Sequence, residues 1–82
     1  MPLPLYGFLQ GDTLVLLIFA EPEDTAAILA GKTTRAASVR VRPKPASSLR
    51  VRYEGRILDP GQTLASAGFE PLDRFDVEDL SF

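Results

Sequence analysis

The stretch 49–68 constrains the fold of this 82-residue chain more than any other part of it. Its first five residues alternate apolar and charged side chains, which predicts a strand with one buried face; the inward positions are Leu49, Val51 and Tyr53. Glu54-Gly55 then predicts a tight turn, and Ile57-Leu58 follows as a second short extended piece. The stretch therefore begins as a strand, a turn and a second strand.

A short capped helix is predicted to follow these two strands. Asp59-Pro60-Gly61 has turn chemistry, because proline presets φ and glycine tolerates positive φ. Thr63 can cap a single helical turn from Leu64 to Ala67, and Gly68 can end it in the left-handed conformation. A strand, a tight turn, a short strand and a small capped helix, in that order, are typical of the second half of a ubiquitin-like β-grasp domain.

The rest of the chain predicts further strands and one main helix. Asp24 or Thr25 can cap a helix that extends to about Ala37. Strands are predicted at Leu5–Leu9, Thr13–Ala20 and Arg74–Leu80, and Val39–Arg42 can begin another. We therefore predict one α+β domain over residues 1–82, a ubiquitin-like β-grasp with a mixed four- to five-stranded sheet packed on one helix. Residues 1–4 are expected to be loosely ordered.

The segment Thr13–Ala20 carries more apolar side chains than a sheet with one covered face can bury. Both parities of this strand are apolar, so either a partner or the loops of the chain itself must cover the second face. The two parities are Val15, Leu17 and Phe19 on one side and Leu14, Leu16 and Ile18 on the other. We take the second set, Leu14, Leu16 and Ile18, as candidate partner contacts.

Basic residues are concentrated in the middle of the chain, although the net charge is −2. Eight lysines and arginines lie between Lys32 and Arg56, against a single acid. Within that zone, two arginine pairs each project from one strand face; they are Arg40 with Arg42 and Arg50 with Arg52. Three interpretations stay open: a solvated face neutralised by nearby acids, docking onto an acidic protein surface, or nucleic-acid binding. The negative net charge and the absence of a base-stacking motif argue against nucleic acid.

The composition excludes several kinds of active site. The chain has no cysteine and no histidine, which excludes disulfides, thiolate chemistry and a histidine base. It also has no glycine-rich phosphate loop. The acids Asp76, Glu78 and Asp79 lack the ligand spacing of a calcium loop, so we interpret them as solvated. We therefore expect no catalytic residue, no cofactor and no metal on this chain.

The sequence does not predict a membrane segment. Its longest apolar run, Leu14–Ala20, is far shorter than the roughly 20 residues of a spanning helix. The first five residues include two prolines and no basic residue, so a signal peptide is not expected. We predict a cytoplasmic location.

Several short motifs occur in one order over most of the chain. They are Asp12-Thr13-Leu14-Val15, Asp24-Thr25, Ala30-Gly31-Lys32, Val39-Arg40, Leu49-Arg50-Val51-Arg52, Ala67-Gly68-Phe69-Glu70-Pro71 and Asp76-Val77. In this order they resemble the toluene monooxygenase system protein B family, the small ubiquitin-like subunit of bacterial multicomponent diiron monooxygenases. The resemblance extends from Pro4 almost to the last residue, and it depends on the order of the motifs because each one alone is weak.

This resemblance implies a non-catalytic third subunit of a hydroxylase that oxidises hydrocarbons such as toluene, alkenes or isoprene. It implies that the diiron centre lies in the large hydroxylase subunit. The implied partners are that large subunit and the second hydroxylase subunit, and indirectly a Rieske-type ferredoxin, a reductase and an effector protein. The last strand of the family continues apolar where this chain has Asp79, so its final residues become candidate partner contacts. With the arginine pairs, the candidate contacts outside Thr13–Ala20 are Arg40, Arg42, Arg50, Arg52, Leu80 and Phe82.

Two other functions are compatible with the same fold. A ubiquitin-type modifier or sulfur carrier needs a C-terminal Gly-Gly, and this sequence ends Asp79-Leu80-Ser81-Phe82, which does not predict one. A free-standing ubiquitin-like module that binds protein or nucleic acid through the arginine pairs is the remaining alternative.

Overall fold

The computed structural model describes residues 2–12, 14–37 and 48–79. The elements are strands β1 (Leu3–Leu9) and β2 (Val15–Ala20), helix α1 (Ala26–Ala36), strands β3 (Leu49–Tyr53) and β4 (Arg56–Ile57), helix α2 (Leu64–Ala67) and strand β5 (Arg74–Asp79). The five strands form one sheet in the order β2-β1-β5-β3-β4. Strands β1 and β5 are parallel, the other pairs are antiparallel, and α1 contacts one face of the sheet. This arrangement confirms the predicted α+β β-grasp fold.

The first half of the stretch 49–68 folds as predicted. The alternate positions of β3 are buried because they face α1, and these positions are Leu49, Val51 and Tyr53. Glu54 and Gly55 both have positive φ, 51° and 78°, which matches the twist of a tight two-residue hairpin. Strand β4 begins at Arg56, one residue earlier than predicted, and the N–H of Leu58 donates to the carbonyl of Val51 at 2.9 Å.

The second half of that stretch also matches its prediction. The hydroxyl of Thr63 accepts the N–H of Ser66 at 3.2 Å and so caps α2. Gly68 ends the helix with φ of 90°, a conformation that only glycine adopts without steric cost. The ring of Tyr53 in β3 stacks on the ring of Phe69, the residue after Gly68, with ring centroids 3.9 Å apart.

Helix α1 begins at its predicted cap. The hydroxyl of Thr25 accepts the N–H of Ile28 at 3.3 Å. The buried face of the helix includes Thr33 and Thr34, which place two hydroxyls against the core. Each hydroxyl donates to the carbonyl four residues earlier, at 2.9 and 3.0 Å, so neither is left unsatisfied.

The two helices begin at adjacent points of the structure. Thr25 and Thr63, the two N-caps, face each other in an isolated antiparallel bridge. The first N–H of α1, at Ala26, donates to the carbonyl of Gln62 at 2.9 Å. The first N–H of α2, at Leu64, donates to the carbonyl of Asp24 at the same distance. Each helix start therefore satisfies donors by means of the segment that precedes the other helix.

The start of β1 differs from its prediction. Strand β1 begins at Leu3, because Leu3 is buried and the carbonyl of Pro4 accepts the N–H of Leu72 at 2.7 Å, so these two residues are not a loose lead-in. The described part of β5 extends to Asp79, whose N–H donates to the side-chain oxygen of Gln10 at 2.7 Å, and Leu80 lies outside the described residues. The strand predicted at Val39–Arg42 lies outside the described residues.

The core lies between the sheet and α1. Its largest fully buried side chains are Phe75, Leu5, Leu29, Leu64, Val51 and Val77. Gly7 of β1 is required here, since a Cβ at that position would lie 2.7 Å from the ring of Phe75. None of the described helices has the length and apolar character needed to cross a membrane.

Candidate partner interface

The sheet face opposite α1 is divided into two halves of different chemistry. One half, the apolar patch, comes from β1 and β2, and its residues are Pro4, Tyr6, Phe8, Val15, Leu17 and Phe19. The other half, the charged patch, comes from β3 and β5, and its residues are Arg50, Arg52, Arg74, Asp76 and Glu78. Alternation along each strand places these side chains away from the helix.

The apolar patch is built from three cross-strand pairs, which are Pro4–Phe19, Tyr6–Leu17 and Phe8–Val15. Directly opposed side chains in an antiparallel pair lie close enough to form a continuous surface. The β2 members are well exposed: Val15 at 51%, Leu17 at 52% and Phe19 at 60%. Such a contiguous exposed apolar area on a small domain indicates a surface that another molecule covers.

The outward parity of β2 is the opposite of the one taken from the sequence. Ile18 is buried, with 4% of its surface exposed, and Leu16 is half-buried against the core. Leu14 lies before the strand, and it alone of the three predicted residues is well exposed. The choice of parity was wrong because register with β1, which the β2 sequence does not encode, decides which side faces α1.

Leu72 extends the apolar patch at the end of β1. Its side chain is 58% exposed, and it lines a shallow groove together with Tyr6, Phe8 and Val15. Its φ is 70°, a left-handed conformation that costs a bulky residue free energy. The guanidinium of Arg74, a residue of the charged patch, lies 4.3 Å from the ring centroid of Phe8, so the two patches meet at this contact.

Two cations of the charged patch lie beside acids, Arg52 beside an acid of the neighbouring strand and Arg74 beside an acid of its own strand. The guanidinium of Arg52 contacts both carboxylate oxygens of Glu78, with the shorter Nε–Oε2 distance at 2.6 Å. The hydrogen bond from Arg52 lowers the pKa of the Glu78 carboxyl, and the same bond raises the pKa of Arg52. Arg74 lies 3.7 Å from Asp76, and the guanidinium of Arg50 donates to the carbonyl of Leu49. This pairing favours the interpretation of a solvated, internally neutralised face.

The remaining predicted contacts, Arg40, Arg42, Leu80 and Phe82, lie outside the described residues. Reasoning from the sequence did not select the six residues of the apolar patch or Leu72 as candidate contacts. The hairpin register of β1 and β2 identifies the patch residues, whereas Leu72 lies outside that hairpin.

No group of three or more acidic side chains in the described ranges is placed to hold a metal ion. Among the described residues, the phenol of Tyr53 has a strongly shifted pKa, which is raised well above its ordinary value, first by burial and then by its hydrogen bond to Asp73. Because the second oxygen partner is the carbonyl of Gly68, this phenol fixes a turn of the fold.

Comparison with solved structures identifies many similar chains, two of which follow. One belongs to the toluene 4-monooxygenase HD complex with the inhibitor 4-bromobenzoate, with a TM-score of 0.83, 25% identity, 94% of this chain covered and 96% of that chain. The other is the ubiquitin of Caldiarchaeum subterraneum, with a TM-score of 0.77, 21% identity, 96% of this chain covered and 94% of that one. The second likeness concerns the fold alone.

A search of curated protein sequences found no match to this chain. The sequence model of the family Toluene-4-monooxygenase system protein B (TmoB) matches residues 2–78, nearly the whole chain. The earlier resemblance is thereby confirmed: this chain belongs to the toluene-4-monooxygenase system protein B family.

Proposed function

We propose that this chain is the non-catalytic small subunit of a bacterial multicomponent monooxygenase hydroxylase that oxidises hydrocarbons such as toluene, alkenes or isoprene. Family membership and the likeness to a chain of the toluene 4-monooxygenase HD complex support the proposal. In this proposal the chain joins the large and second hydroxylase subunits, and the large subunit carries the diiron centre. Electrons reach that centre through a Rieske-type ferredoxin and a reductase, under the control of an effector protein.

The apolar patch is the observation that carries the proposal. Its exposed side chains have no cover within the described part of the chain, and burying apolar area yields roughly 25 cal/mol per Å². We therefore assign the main docking contacts to Leu17, Phe19 and Tyr6, because large apolar and aromatic side chains at the centre of an interface contribute most of its affinity. Leu14 lies directly before β2, and Arg50 lies in the charged patch.

The nucleic-acid alternative has less support. A phosphate-binding surface needs cations that are available to phosphates, and in the charged patch Arg52 is already held by Glu78. We therefore assign the outer sheet face to protein docking.

The test is co-expression of this chain with the large and second hydroxylase subunits of its own source, followed by purification in low salt. The wild-type chain is expected to co-purify in a fixed ratio. Phe19→Asp is expected to be lost from the complex, because it places a charge on the exposed apolar patch, where docking would have to desolvate it. The matched control is Ile57→Asp, an exposed apolar residue at the opposite edge of the sheet, which should be retained.

The outcome that contradicts the proposal is a wild-type chain that does not co-purify with these subunits. Equal retention of Phe19→Asp and wild type would instead contradict the assignment of the docking surface.

A further inference from the structure

The two edges of the sheet are protected to very different degrees. Strand β4 forms one edge, and it has only two residues, one of them Arg56. Strand β2 forms the other edge with six apolar residues, no charge and no proline, and it pairs with β1 alone among the described strands. Natural proteins shorten, charge or cover such edges, because the unpaired backbone groups can add another strand. The edge of β2 is neither short nor charged.

The backbone groups that face this edge can be identified from the neighbours of β2. Pro4 has no N–H to give to its partner Phe19, and the N–H of Tyr6 donates to Asp73 on the opposite side of β1 at 2.9 Å. Both positions are therefore the non-hydrogen-bonded type of antiparallel pair. It follows that Phe19 and Leu17, and Val15 by the same alternation, direct their N–H and carbonyl groups away from β1.

A contact from α1 agrees with this direction and limits the free part of the edge. The ammonium of Lys32 donates to the outward carbonyl of Phe19 at 3.2 Å, and Asp24 holds the same ammonium at 2.8 Å. The edge is thus closed at Phe19 by a side chain of the protein itself. Among the described residues, the outward backbone groups that remain available are the N–H and carbonyl groups of Val15 and Leu17 and the N–H of Phe19.

We infer that the β2 edge binds an extended segment of the hydroxylase subunit by strand addition between Val15 and Phe19. This inference rests on the proposed function and specifies the kind of element that docks. The bound segment is about four residues long in extended conformation, and it donates to and accepts from the outward groups of Val15 and Leu17. Its alternate side chains are apolar, because they continue the apolar patch beside Val15, Leu17 and Phe19.

A second copy of this chain fits the same edge less well. Two-fold pairing centred on Leu17 would place Val15 of each copy opposite Phe19 of the other. The carbonyl of Phe19 is already occupied by Lys32, so the ladder would meet that side chain at both of its ends. A segment of a different protein meets Lys32 only once, which is why we assign the edge to the hydroxylase subunit.

The test uses Leu17→Pro with Leu17→Val as its matched control. Both variants remove a comparable part of the leucine side chain, but only proline removes the outward N–H. Proline is tolerated where the N–H of an edge strand faces solvent, so the variant is expected to keep the fold. In titrations with the purified large and second hydroxylase subunits, Leu17→Pro should bind at least about tenfold more weakly than Leu17→Val.

Equal binding of the two variants while the wild type binds would overturn strand addition and leave the proposed function standing. Failure of the wild type to bind would instead contradict the proposed function.

If Leu17→Pro does not fold, amide hydrogen exchange of the wild-type chain tests strand addition instead. The N–H groups of Val15, Leu17 and Phe19 should exchange fast in the free chain and slowly in the complex, and unchanged exchange overturns the inference. A dimer of the free chain that Leu17→Pro abolishes also overturns it.

Discussion

The two halves of the outer sheet face have the same alternation of inward and outward side chains. They differ in whether contacts within the chain satisfy the outward side chains. In the charged patch, Arg52 meets Glu78 on the neighbouring strand, so its charges are compensated within the chain. In the apolar patch, Leu17 and Phe19 meet apolar neighbours and still expose about half of their surface or more. The comparison teaches that strand periodicity shows which residues share a face, whereas the chemistry of the opposed pairs shows whether partners within the chain satisfy that face.

The same comparison ranks the two halves as sources of docking energy. Exposed ion pairs contribute little, because water and salt screen them. Apolar side chains contribute in proportion to the area that a partner covers. We therefore expect the apolar patch to dominate affinity and the charged patch to have a small effect, and three measurements can break or sharpen this ranking.

The largest effect is expected from Tyr6→Glu combined with Leu17→Glu. These residues form the central cross-strand pair of the apolar patch, and two carboxylates there would have to be desolvated on docking. We expect a loss of affinity for the hydroxylase subunits of about 100-fold or more, measured by calorimetric titration. The control exchanges the charges of the other half by Arg52→Glu with Glu78→Arg, and it should stay within about threefold of wild type. A larger effect from the control would reverse the ranking.

An intermediate effect is expected from Leu72→Gly. Glycine removes the strain of a left-handed leucine, so the free energy of unfolding should rise by about 1 kcal/mol in urea titration. Affinity should nevertheless fall by about tenfold, because an exposed part of the docking surface is lost. Leu72→Ala separates the two causes, since it shortens the side chain and keeps the strain. A glycine variant that gains stability and binds like wild type would exclude Leu72 from the interface.

The smallest effect is expected from Glu78→Gln. The hydrogen bond from Arg52 lowers the folded-state pKa of Glu78 below its ordinary value, so the folded state holds its proton less tightly than the unfolded state. The resulting stabilisation is fully present above the unfolded pKa and is lost as the pH falls through the folded pKa. Thermal melts should therefore show wild type and Glu78→Gln converging as the pH falls below the ordinary pKa of a glutamate. A difference that persists at pH 2.5 would show that the loss is caused by packing.

The stretch 49–68 was predictable because its determinants are local. Thr63 caps the helix that begins at the next residue, and Gly68 ends it, so both signals lie within a few residues of their effect. Glu54-Gly55 likewise specifies its turn without help from distant parts of the chain. Capping and turn chemistry therefore fix this half of the fold.

The outward face of β2 was not predictable because its determinants are distant. Ile18 and Leu17 are equally apolar, and only the pairing with β1 and the position of α1 decide that Ile18 is buried. The left-handed backbone of Leu72 also involves a residue distant in the sequence, because its N–H donates to the carbonyl of Pro4. A candidate site that depends on such pairings needs the three-dimensional structure.

The bridge between Thr25 and Thr63 couples the stability of the first turn of α1 to that of the first turn of α2. Because Ala26 and Leu64 each donate across it, pulling the short helix away also frees the first turn of the long one. Local opening of the segment from Asp59 to Ala67 therefore also removes hydrogen bonds from the N-terminal end of α1. The bridge between the two threonines therefore couples the starts of α1 and α2, which lie in different halves of the sequence, into one cooperative unit.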